Sequence, residues 1–440
     1  MNKITVRTNN KLHEETFTVR HKSGLEIFLT PKDLKTSYAV LSVGYGALHT
    51  DFKTPDGILH KTPAGIAHFL EHKMFEMPDG TDAFEQFAAI GANANAYTSA
   101  SRTSYLFSCT SRLEEALEIL LTMVFTPHFT ESSVKREADI IKQEVLAYED
   151  QAPSRLFRIL MNNLFEKHGL RENICGTVES ISRITPALLY ECYHAFYTPK
   201  NMALSISGAF SPEEIFALID RILEKLQVAA NDCAIAEIIN ERGGIVSAYK
   251  EISMSVARPI LQIGIKDIAY QEDQLFMTKR HLLMNIALNA ITGAASPLYE
   301  TLLNDGLLQD KFSTDYGDED GCAYALIAAE SDDARRVIDE TFKALENAAQ
   351  KPPSAEEFER LRRCVYADYV RLFDSTEDIA EETLDNFFTG IELLSVGDII
   401  LSLTYEDFAS LCREIFRPQY FTAAVVRPLE GSAENERSSQ

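Results

Sequence analysis

The first half of the chain alternates short stretches with a strand pattern and longer stretches with a helix pattern. β-branched or aromatic residues alternate with polar ones in TFTVRHKSGLEIFLTP, SYAVLSVGYGAL and NMALSISGAF and at 94–109, which predicts strands. Apolar residues recur three and four positions apart in PAGIAHFLEHKMFEM, SRLFRILMNNLF and SPEEIFALIDRIL and at 81–90, 112–124, 131–149 and 186–195, which predicts helices.

The second half repeats this plan. The same patterns predict strands at 259–266 and 322–329 and helices at 277–292 and 297–304. The helix pattern that starts at 128 recurs at 353, an offset of 353 − 128 = 225, and the strand at 201 recurs at 420, an offset of 420 − 201 = 219. Two similar offsets in the same order indicate a duplication. We therefore predict an α+β fold of two homologous α/β domains, each a mixed, largely antiparallel sheet packed with helices.

The predicted domain limits follow from where this periodicity stops. Residues 1–225 form the N-terminal domain, which carries the candidate chemistry described below. The pattern is lost at 226–244, which is predicted to be a linker, and 245–430 form the second domain. The last stretch, 431–440, is a polar tail.

Composition narrows the class of protein. The 440 residues include 66 Asp and Glu against 42 Lys and Arg, a formal charge of −24, which argues against nucleic acid or an anionic membrane as a partner. No apolar run is long enough for a transmembrane helix, and the first twenty residues have no signal-peptide core. The seven cysteines are scattered without a CxxC spacing, which favours reduced thiols in a cytoplasmic protein.

The strongest chemical signal is the string His68-Phe69-Leu70-Glu71-His72. In a helix, His68 and His72 lie one turn apart on one face, where neutral imidazoles can ligate one Zn²⁺. Glu71 lies beside this pair, so its carboxylate can act on water at the metal without being a ligand. A helix with two hydrogen-bonded histidines and a surface Glu remains the alternative interpretation of the string alone.

A catalytic zinc site usually has a third protein ligand. Glu137 and Glu144 lie seven residues apart in the predicted helix 131–149, so their side chains point the same way. One carboxylate can ligate the metal while the other orients a ligating histidine. Both could equally lie on a solvated face, because helices in so acidic a chain carry many Glu residues.

Four segments in this order resemble the insulinase/pitrilysin family of zinc peptidases, which includes the mitochondrial processing peptidase. They are AHFLEHKMFE, GANANAYTSASRTSYLF, KREADIIKQE and FYTPKNMALSISGAF. The block GTVESISRITPALLYECYHAFYTPKNM is particularly similar to the bacterial two-subunit branch, in which an active and an inactive subunit occur together. The resemblance covers most of 20–215 and, more faintly, the C-terminal half, and it implies half of a clamshell peptidase.

The resemblance implies a role for each matched residue. His68, His72 and Glu144 match the zinc ligands, and Glu71 matches the general base that takes a proton from water and passes it to the leaving amine. Glu137 matches a second acidic residue that supports the site. The interval 144 − 72 = 72 is a few residues shorter than the family spacing, which a shortened loop around 125–131 would explain; the retained seven-residue register favours Glu144 over Glu149.

A substrate-binding edge strand is also implied by the resemblance. Asn95, Ala96, Tyr97 and Thr98 match the strand that pairs with the substrate backbone, and an extended peptide added to a sheet edge gains main-chain hydrogen bonds. A purely structural strand with Tyr97 in a core is the alternative, and both can hold because alternate residues face opposite ways.

The second half departs from the family pattern at one point. Many members carry an Arg and a Tyr near the substrate carbonyl, but here Asn304 and Gln309 stand at the matching positions, with nearby Tyr316 as a substitute candidate. Such oxyanion donors contribute about 3 kcal/mol to catalysis. We therefore expect a paralogous inactive subunit to supply the pair in a heterodimer, with a homodimer as the other possibility.

The sequence thus predicts a zinc-dependent endopeptidase or processing peptidase for short unfolded peptides. A non-catalytic assembly or regulatory subunit that keeps the peptidase fold is the alternative, although a scaffold has no need to retain Glu71. The charge of −24 further suggests that basic peptides are preferred, because acidic walls of an enclosed site focus the field on cations.

Overall fold

The structure is a computed structural model that describes residues 4–318 and 320–429. The tail predicted at 431–440 lies outside these residues. The strands, in chain order, are β1 Thr5–Asn9, β2 Glu14–Arg20, β3 Glu26–Pro31, β4 Ser37–Val43, β5 Asp51–Lys53, β6 Leu59–Lys61, β7 Asn93–Thr98, β8 Thr103–Cys109, β9 Met202–Gly208, β10 Ile235–Ala236, β11 Tyr249–Met254, β12 Ile260–Asp267, β13 Ser313–Gly317, β14 Ala323–Glu330 and β15 Phe421–Pro428.

The helices occupy most of the remaining chain. They are α1 Ile66–Lys73, α2 Ala83–Ala89, α3 Leu113–Phe125, α4 Glu131–Asp150, α5 Ala152–Leu164, α6 Val178–Ile181, α7 Pro186–Phe196, α8 Pro212–Lys225, α9 Gln274–Thr292, α10 Pro297–Asn304, α11 Ala334–Gln350, α12 Ala355–Leu372, α13 Thr376–Phe388, α14 Val396–Ser402 and α15 Tyr405–Ile415. Short 3₁₀ turns connect several of them.

The chain forms two compact units that are discontinuous in sequence. Among the described residues, the first unit contains 4–145, 173–238 and 368–397, and the second contains the rest. The contiguous division into 1–225, 226–244 and 245–430 remains a prediction about the duplicated segments. Each unit buries its own sheet under helices.

The first unit is built on a mixed sheet. Within the described residues its strand order is β1-β2-β3-β9-β4-β8-β7, and every neighbouring pair is antiparallel except β3 and β9. The central strands β4 and β9 are buried along their whole length. The segment 94–109, predicted to have strand character, forms a hairpin of β7 and β8 that is closed by a hydrogen bond from the Ser99 N–H to the Arg102 carbonyl.

The second unit repeats the inner part of this sheet. Its described strands run in the order β11-β15-β12-β14-β13, with β11 and β15 parallel and the other pairs antiparallel. The corresponding strands of the first unit, β3-β9-β4-β8-β7, are arranged in the same way. In each case the last strand of the repeat inserts beside the first one, in parallel. This shared order confirms the predicted duplication and the mixed, largely antiparallel α+β fold.

Each unit takes one helix from the other half of the sequence. The helix α5 follows α4 in the first repeat and packs on β12 and β15 of the second unit. Its counterpart α13 follows α12 in the second repeat and packs on β4 and β9 of the first unit. Residues from near position 380 therefore belong to the unit that carries the candidate site.

Within the part of the chain that the structure describes, no helix is both long and apolar enough to cross a membrane. All seven cysteines are described, and none of them forms a disulfide.

Candidate metal centre

The first element of the site is α1, whose N-terminus is fixed by a close backbone contact. Gly65 precedes the helix with φ +88°, and a Cβ there would lie 2.5 Å from the Cys175 carbonyl oxygen. Gly176 is also in the left-handed region, and a Cβ there would lie 2.4 Å from the Ala64 carbonyl oxygen. The Ser180 hydroxyl donates a 2.7 Å hydrogen bond to that same carbonyl. Two glycines thus let the 175–180 segment position the start of α1.

The two histidines of α1 face the same way, as their spacing predicts. Their ring centroids are 4.6 Å apart. His68 is 8% exposed, and His72 is half-buried. The helix packs against β7 and α7, so this face is fixed by tertiary contacts as well as by helix geometry.

Glu144 on α4 completes a group of three candidate ligands. Its carboxylate oxygens lie 3.6 Å from His68 Nε2 and 3.6 Å from His72 Nε2. One ligand atom from each of the three residues lies within 4.8 Å of the others. Glu149, the other candidate of the same helix, instead forms ion pairs with Arg155 and Arg158. The structure therefore brings Glu144 and not Glu149 to the histidines.

Glu137 lies two turns before Glu144 and contacts the outer nitrogen of His72. The distance from His72 Nδ1 to Glu137 Oε1 is 2.9 Å. This contact fixes the tautomer of His72 and leaves its Nε2 directed at Glu144, which is the arrangement typical of a carboxylate that supports a metal-bound histidine. His68 Nδ1 is buried and has no hydrogen-bond partner among the described side chains.

The electrostatics of the two imidazoles differ. Burial, helped by the neighbouring His72, lowers the pKa of His68 to about 3, so this imidazole is neutral at physiological pH. Burial also opposes a charge on His72, but the hydrogen bond to Glu137 and the nearby carboxylates of Glu71 and Glu144 outweigh it and raise the pKa of His72. The neutral imidazole of His68 can therefore ligate a metal ion directly, whereas His72 must lose a proton when it binds the metal.

Glu71 lies in this site and does not belong to the three-ligand group. It is 8% exposed, and its Oε2 accepts a 2.6 Å hydrogen bond from the Thr98 hydroxyl at the end of β7. Burial raises the pKa of the Glu71 carboxyl, and the Thr98 hydrogen bond only partly offsets this shift. A carboxyl with a raised pKa is suited to accept and return protons near neutral pH.

The predicted substrate-binding residues lie on the terminal strand of the sheet. Among the described strands, β7 pairs with β8 alone, through contacts such as Asn95 with Leu106 and Ala96 with Tyr105. Its other edge is therefore available for a further strand. The Tyr97 hydroxyl donates a 2.8 Å hydrogen bond to Glu381.

Cys175, one of the seven scattered cysteines, is a neighbour of the site. Its Sγ lies 3.6 Å from His68 Nε2, and the side chain is 4% exposed. Burial, with the carboxylates of Glu144 and Glu71 nearby, raises the pKa of the thiol to about 12. No spacing pattern indicated this contact, because the two residues are 107 positions apart.

The candidate oxyanion donors lie in the second unit. Asn304 is exposed at the end of α10, and Gln309 is exposed in the loop that follows. Tyr316 is 2% exposed, and its hydroxyl donates a 2.7 Å hydrogen bond to the buried carboxylate of Asp267. Arg280 binds both oxygens of that carboxylate, with Nε 2.5 Å from Asp267 Oδ2 and Nη2 2.9 Å from Oδ1. The Tyr316 hydroxyl is therefore part of a hydrogen-bond network with Asp267 and Arg280 inside the second unit.

The residues present fit a zinc ion. Two imidazole nitrogens and one carboxylate are a common ligand set of catalytic zinc, which leaves one position for water or substrate. The donors already converge, one histidine is neutral, and the other has a supporting carboxylate. Three carboxylates, Glu71, Glu137 and Glu144, surround the pair, so a divalent cation also balances the local charge.

Comparison with known proteins identifies the family. Residues 34–178 match the insulinase family (peptidase family M16), and residues 183–364 match the peptidase M16 inactive domain. An uncharacterized zinc protease of Bacillus subtilis, YmfH, is 35% identical over 422 residues, which cover 95% of this chain and 98% of that protein. The chain belongs to peptidase family M16. Its relatives are named zinc proteases, and zinc is the metal of the family.

Other proteins resemble this M16 chain at lower sequence identity over most of its length. A probable mitochondrial-processing peptidase subunit beta of Schizosaccharomyces pombe is 24% identical over 398 residues, which cover 85% of this chain and 84% of that protein. The crystal structure of an M16-like peptidase from Alicyclobacillus acidocaldarius has a TM-score of 0.89 at 29% identity and covers 94% of this chain and 99% of that one. Pitrilysin shares the fold with a TM-score of 0.76 at 17% identity, and this chain spans 46% of its length.

Proposed function

We propose that this M16 chain is a zinc-dependent endopeptidase or processing peptidase that cleaves short unfolded peptides. The observation that carries the proposal is the arrangement of Glu71 beside His68, His72 and Glu144. Three residues converge as candidate ligands, while the carboxylate of the fourth residue, Glu71, is buried, held by Thr98 and not part of the ligand group. A scaffold protein has no need for this fourth group.

Each residue has a distinct task in the proposed reaction. His68, His72 and Glu144 hold the zinc, and Glu137 orients His72 through Nδ1. Zinc, when bound, supplies a Lewis acid that polarises a peptide carbonyl and acidifies water. Glu71 would take a proton from the attacking water onto its carboxylate and deliver it to the leaving amine, while the water oxygen stays on the carboxyl product. Burial raises the pKa of the Glu71 carboxyl, which favours its taking up a proton.

We propose that the free edge of β7 binds the substrate as an added strand. Main-chain hydrogen bonds from residues 93–98 would hold the peptide extended and independent of its sequence. The same strand carries Thr98, whose hydroxyl contacts Glu71, so a peptide paired with β7 would lie next to the base. This arrangement supports unfolded peptides as the substrate class, because a folded segment cannot pair along the edge.

The general-base role is tested by Glu71→Gln, which keeps the shape of the side chain and removes its proton affinity. Peptide cleavage is expected to fall at least about 100-fold while one zinc per chain remains bound. Elemental analysis and a quenched fluorescent peptide measure the two quantities. Cleavage that survives in the zinc-loaded variant would show that Glu71 is not the base. A wild-type chain that binds zinc and cleaves no peptide, with or without a partner subunit, would favour the alternative of an assembly or regulatory subunit.

We further propose that the active form includes a paralogous inactive subunit. Asn304 and Gln309 replace the expected Arg and Tyr, and Tyr316 is bonded to Asp267, so this chain supplies no evident oxyanion donor of its own from these positions. The relative named as a processing-peptidase subunit beta is itself a subunit, which supports the idea. The purified chain alone is expected to be weakly active and to gain activity with the paralogue. Full activity of a monomer would refute the proposal, and full activity of a homodimer would favour the other form of assembly.

A cytoplasmic location is part of the same proposal. It is supported by seven thiols that form no disulfide.

A further inference from the structure

A helix from the end of the chain contacts the hairpin that carries the proposed substrate strand. Glu381 of α13 accepts a 2.8 Å hydrogen bond from the Tyr97 hydroxyl on Oε2 and a 2.7 Å hydrogen bond from the Tyr38 hydroxyl on Oε1. Both oxygens of one half-buried carboxylate are therefore used by two tyrosines. Tyr38 belongs to the central strand β4, whereas Tyr97 belongs to the edge strand β7.

The same helix contacts the hairpin at a second point. Asp385, one turn after Glu381, forms an ion pair with Arg102 at the turn between β7 and β8. The Arg102 guanidinium also lies 5.4 Å from the centroid of the Phe388 ring. Residues 381, 385 and 388 follow a helical spacing of four and three, so one face of α13 meets the hairpin along two turns. The contact is thus a property of the helix and not of one side chain.

An edge strand depends on such contacts more than an inner strand does. Among the described strands, β7 has hydrogen-bonded neighbours on one side only, so its backbone opens more readily than that of β4 or β9. The hydrogen bond from the Tyr97 hydroxyl to Glu381 therefore ties this edge strand to a helix that is packed on the buried strands β4 and β9.

Strand β7 links the hydrogen bond between Tyr97 and Glu381 to Glu71, the proposed general base. Tyr97 and Thr98 are successive residues, so their side chains leave β7 on opposite faces. On one face Tyr97 reaches Glu381, and on the other Thr98 donates to Glu71. A displacement of β7 would therefore disturb both its free edge and the hydroxyl that holds Glu71.

We propose that Glu381 is a positioning residue of the peptidase site, which through Tyr97 holds β7 in the place needed to pair with substrate and to support Glu71. The inference rests on the proposed function of β7 and Glu71. It adds a residue from beyond 364, where the matches to the two family domains end. Glu381 itself does not contact the substrate in this proposal, and its effect passes through Tyr97.

The test compares two hydroxyl deletions on the same carboxylate. Tyr97→Phe removes the bond to the edge strand, and Tyr38→Phe is the matched control that removes the bond to the central strand. Amide hydrogen exchange of the zinc-loaded protein measures the opening of residues 93–98 without any use of activity. Exchange there is expected to rise about tenfold in Tyr97→Phe and to stay close to wild type in Tyr38→Phe, with exchange in β9 unchanged in both.

Glu381→Ala removes the bonds to both tyrosines and should raise exchange in residues 93–98 at least as much as Tyr97→Phe does. Adding Tyr97→Phe to Glu381→Ala should raise that exchange no further, because the bond from Tyr97 is already absent. If the Glu381→Ala variant does not fold, the comparison of Tyr97→Phe with Tyr38→Phe still tests the positioning role. In cleavage assays with a peptide long enough to pair with β7, KM is expected to rise about tenfold in Tyr97→Phe, more than kcat falls, while the zinc content stays at one per chain.

Unchanged exchange of β7 in Tyr97→Phe, or an equal rise in Tyr38→Phe, would overturn the positioning role. Raised exchange with no change in KM or kcat would also overturn it, because the anchor would then be structural only. If the wild-type chain shows no peptidase activity under any condition, the proposed function fails and takes this role with it. The exchange result then still establishes whether Glu381 anchors β7, so the two failures are distinguishable.

Discussion

At the scale of single residues, the site depends on carboxylates with different tasks in a small space. Glu144 faces the Nε2 atoms of both histidines, Glu137 faces Nδ1 of His72, and Glu71 is held by Thr98 outside the ligand group. Their roles are set by which atom each one meets, because all three are the same chemical group. Substitution of one carboxylate at a time can distinguish these roles.

Glu137 is expected to tune zinc binding without being a ligand. In Glu137→Ala, His72 loses the partner that fixes its tautomer, and the zinc dissociation constant should rise about 10- to 100-fold. Glu144→Ala should weaken binding more, since it removes a ligand. Asp139→Asn is a matched control, because it changes an exposed carboxylate on the same helix. Competition with a chromogenic zinc chelator measures all three, and wild-type affinity in Glu137→Ala would contradict the supporting role.

At the scale of secondary-structure elements, the position of α1 depends on backbone contact more than on capping. No side chain caps its N-terminus, and the 175–180 segment packs directly on residues 64 and 65. Helix propensity alone would not fix such a short helix, which forms only because it is packed against other elements. The orientation of His68 and His72 is therefore set by this contact.

Gly176→Ala tests that contact. The new Cβ would lie 2.4 Å from the Ala64 carbonyl oxygen at a residue with φ +76°, so both backbone strain and a clash are expected. Gly91→Ala is the matched control, because Gly91 has φ +74° and a Cβ added there would meet no atom within 4 Å. The control should lose about 1–2 kcal/mol of unfolding free energy from strain alone.

The Gly176 variant should lose clearly more stability than this control and should also bind zinc less tightly, since α1 must shift. Urea unfolding and zinc titration give the two measurements. Equal losses in both variants would mean that the close approach at Gly176 is not what positions α1.

At the scale of the whole molecule, one domain fold occurs twice, and among the described residues only the first copy carries the group of candidate metal ligands. Both sheets share the same order, and α1 corresponds in chain order to α9, whose sequence contains no HxxEH string. Among the described residues, the one group of three candidate ligands lies in the first unit. The second copy keeps the fold because packing preserves it, while the ligands are free to change once the metal is absent.

The net charge gives a prediction at this scale. A chain with a formal charge of −24 should attract cationic peptides, and exposed charges are screened by salt. Of two peptides that differ only in Lys or Glu residues away from the cleaved bond, the basic one should have the higher kcat/KM at low ionic strength. The difference should shrink in ~1 M salt, where the Debye length is about 3 Å. Equal values for both peptides at low salt would contradict this preference.

The sequence by itself determined the local features of this protein. The 3.6-residue period placed His68 and His72 on one face, the seven-residue interval paired Glu137 with Glu144, and the repeated pattern indicated two copies of one domain. These inferences depend only on periodicity within one helix or strand, which the sequence carries directly. The pattern at 94–109 indicated strand character, and the structure adds where the turn lies, between Ser99 and Arg102.

Only the tertiary structure decided the contacts between distant segments. Cys175 meets His68 across 107 positions, Glu381 meets Tyr97 across 284, and α5 and α13 each pack on the sheet of the other repeat. It also placed Thr98 against Glu71 and showed that Tyr316 is bonded to Asp267. Such pairings leave no periodic signal in the chain, because burial and hydrogen bonding act between side chains that only the complete fold brings together.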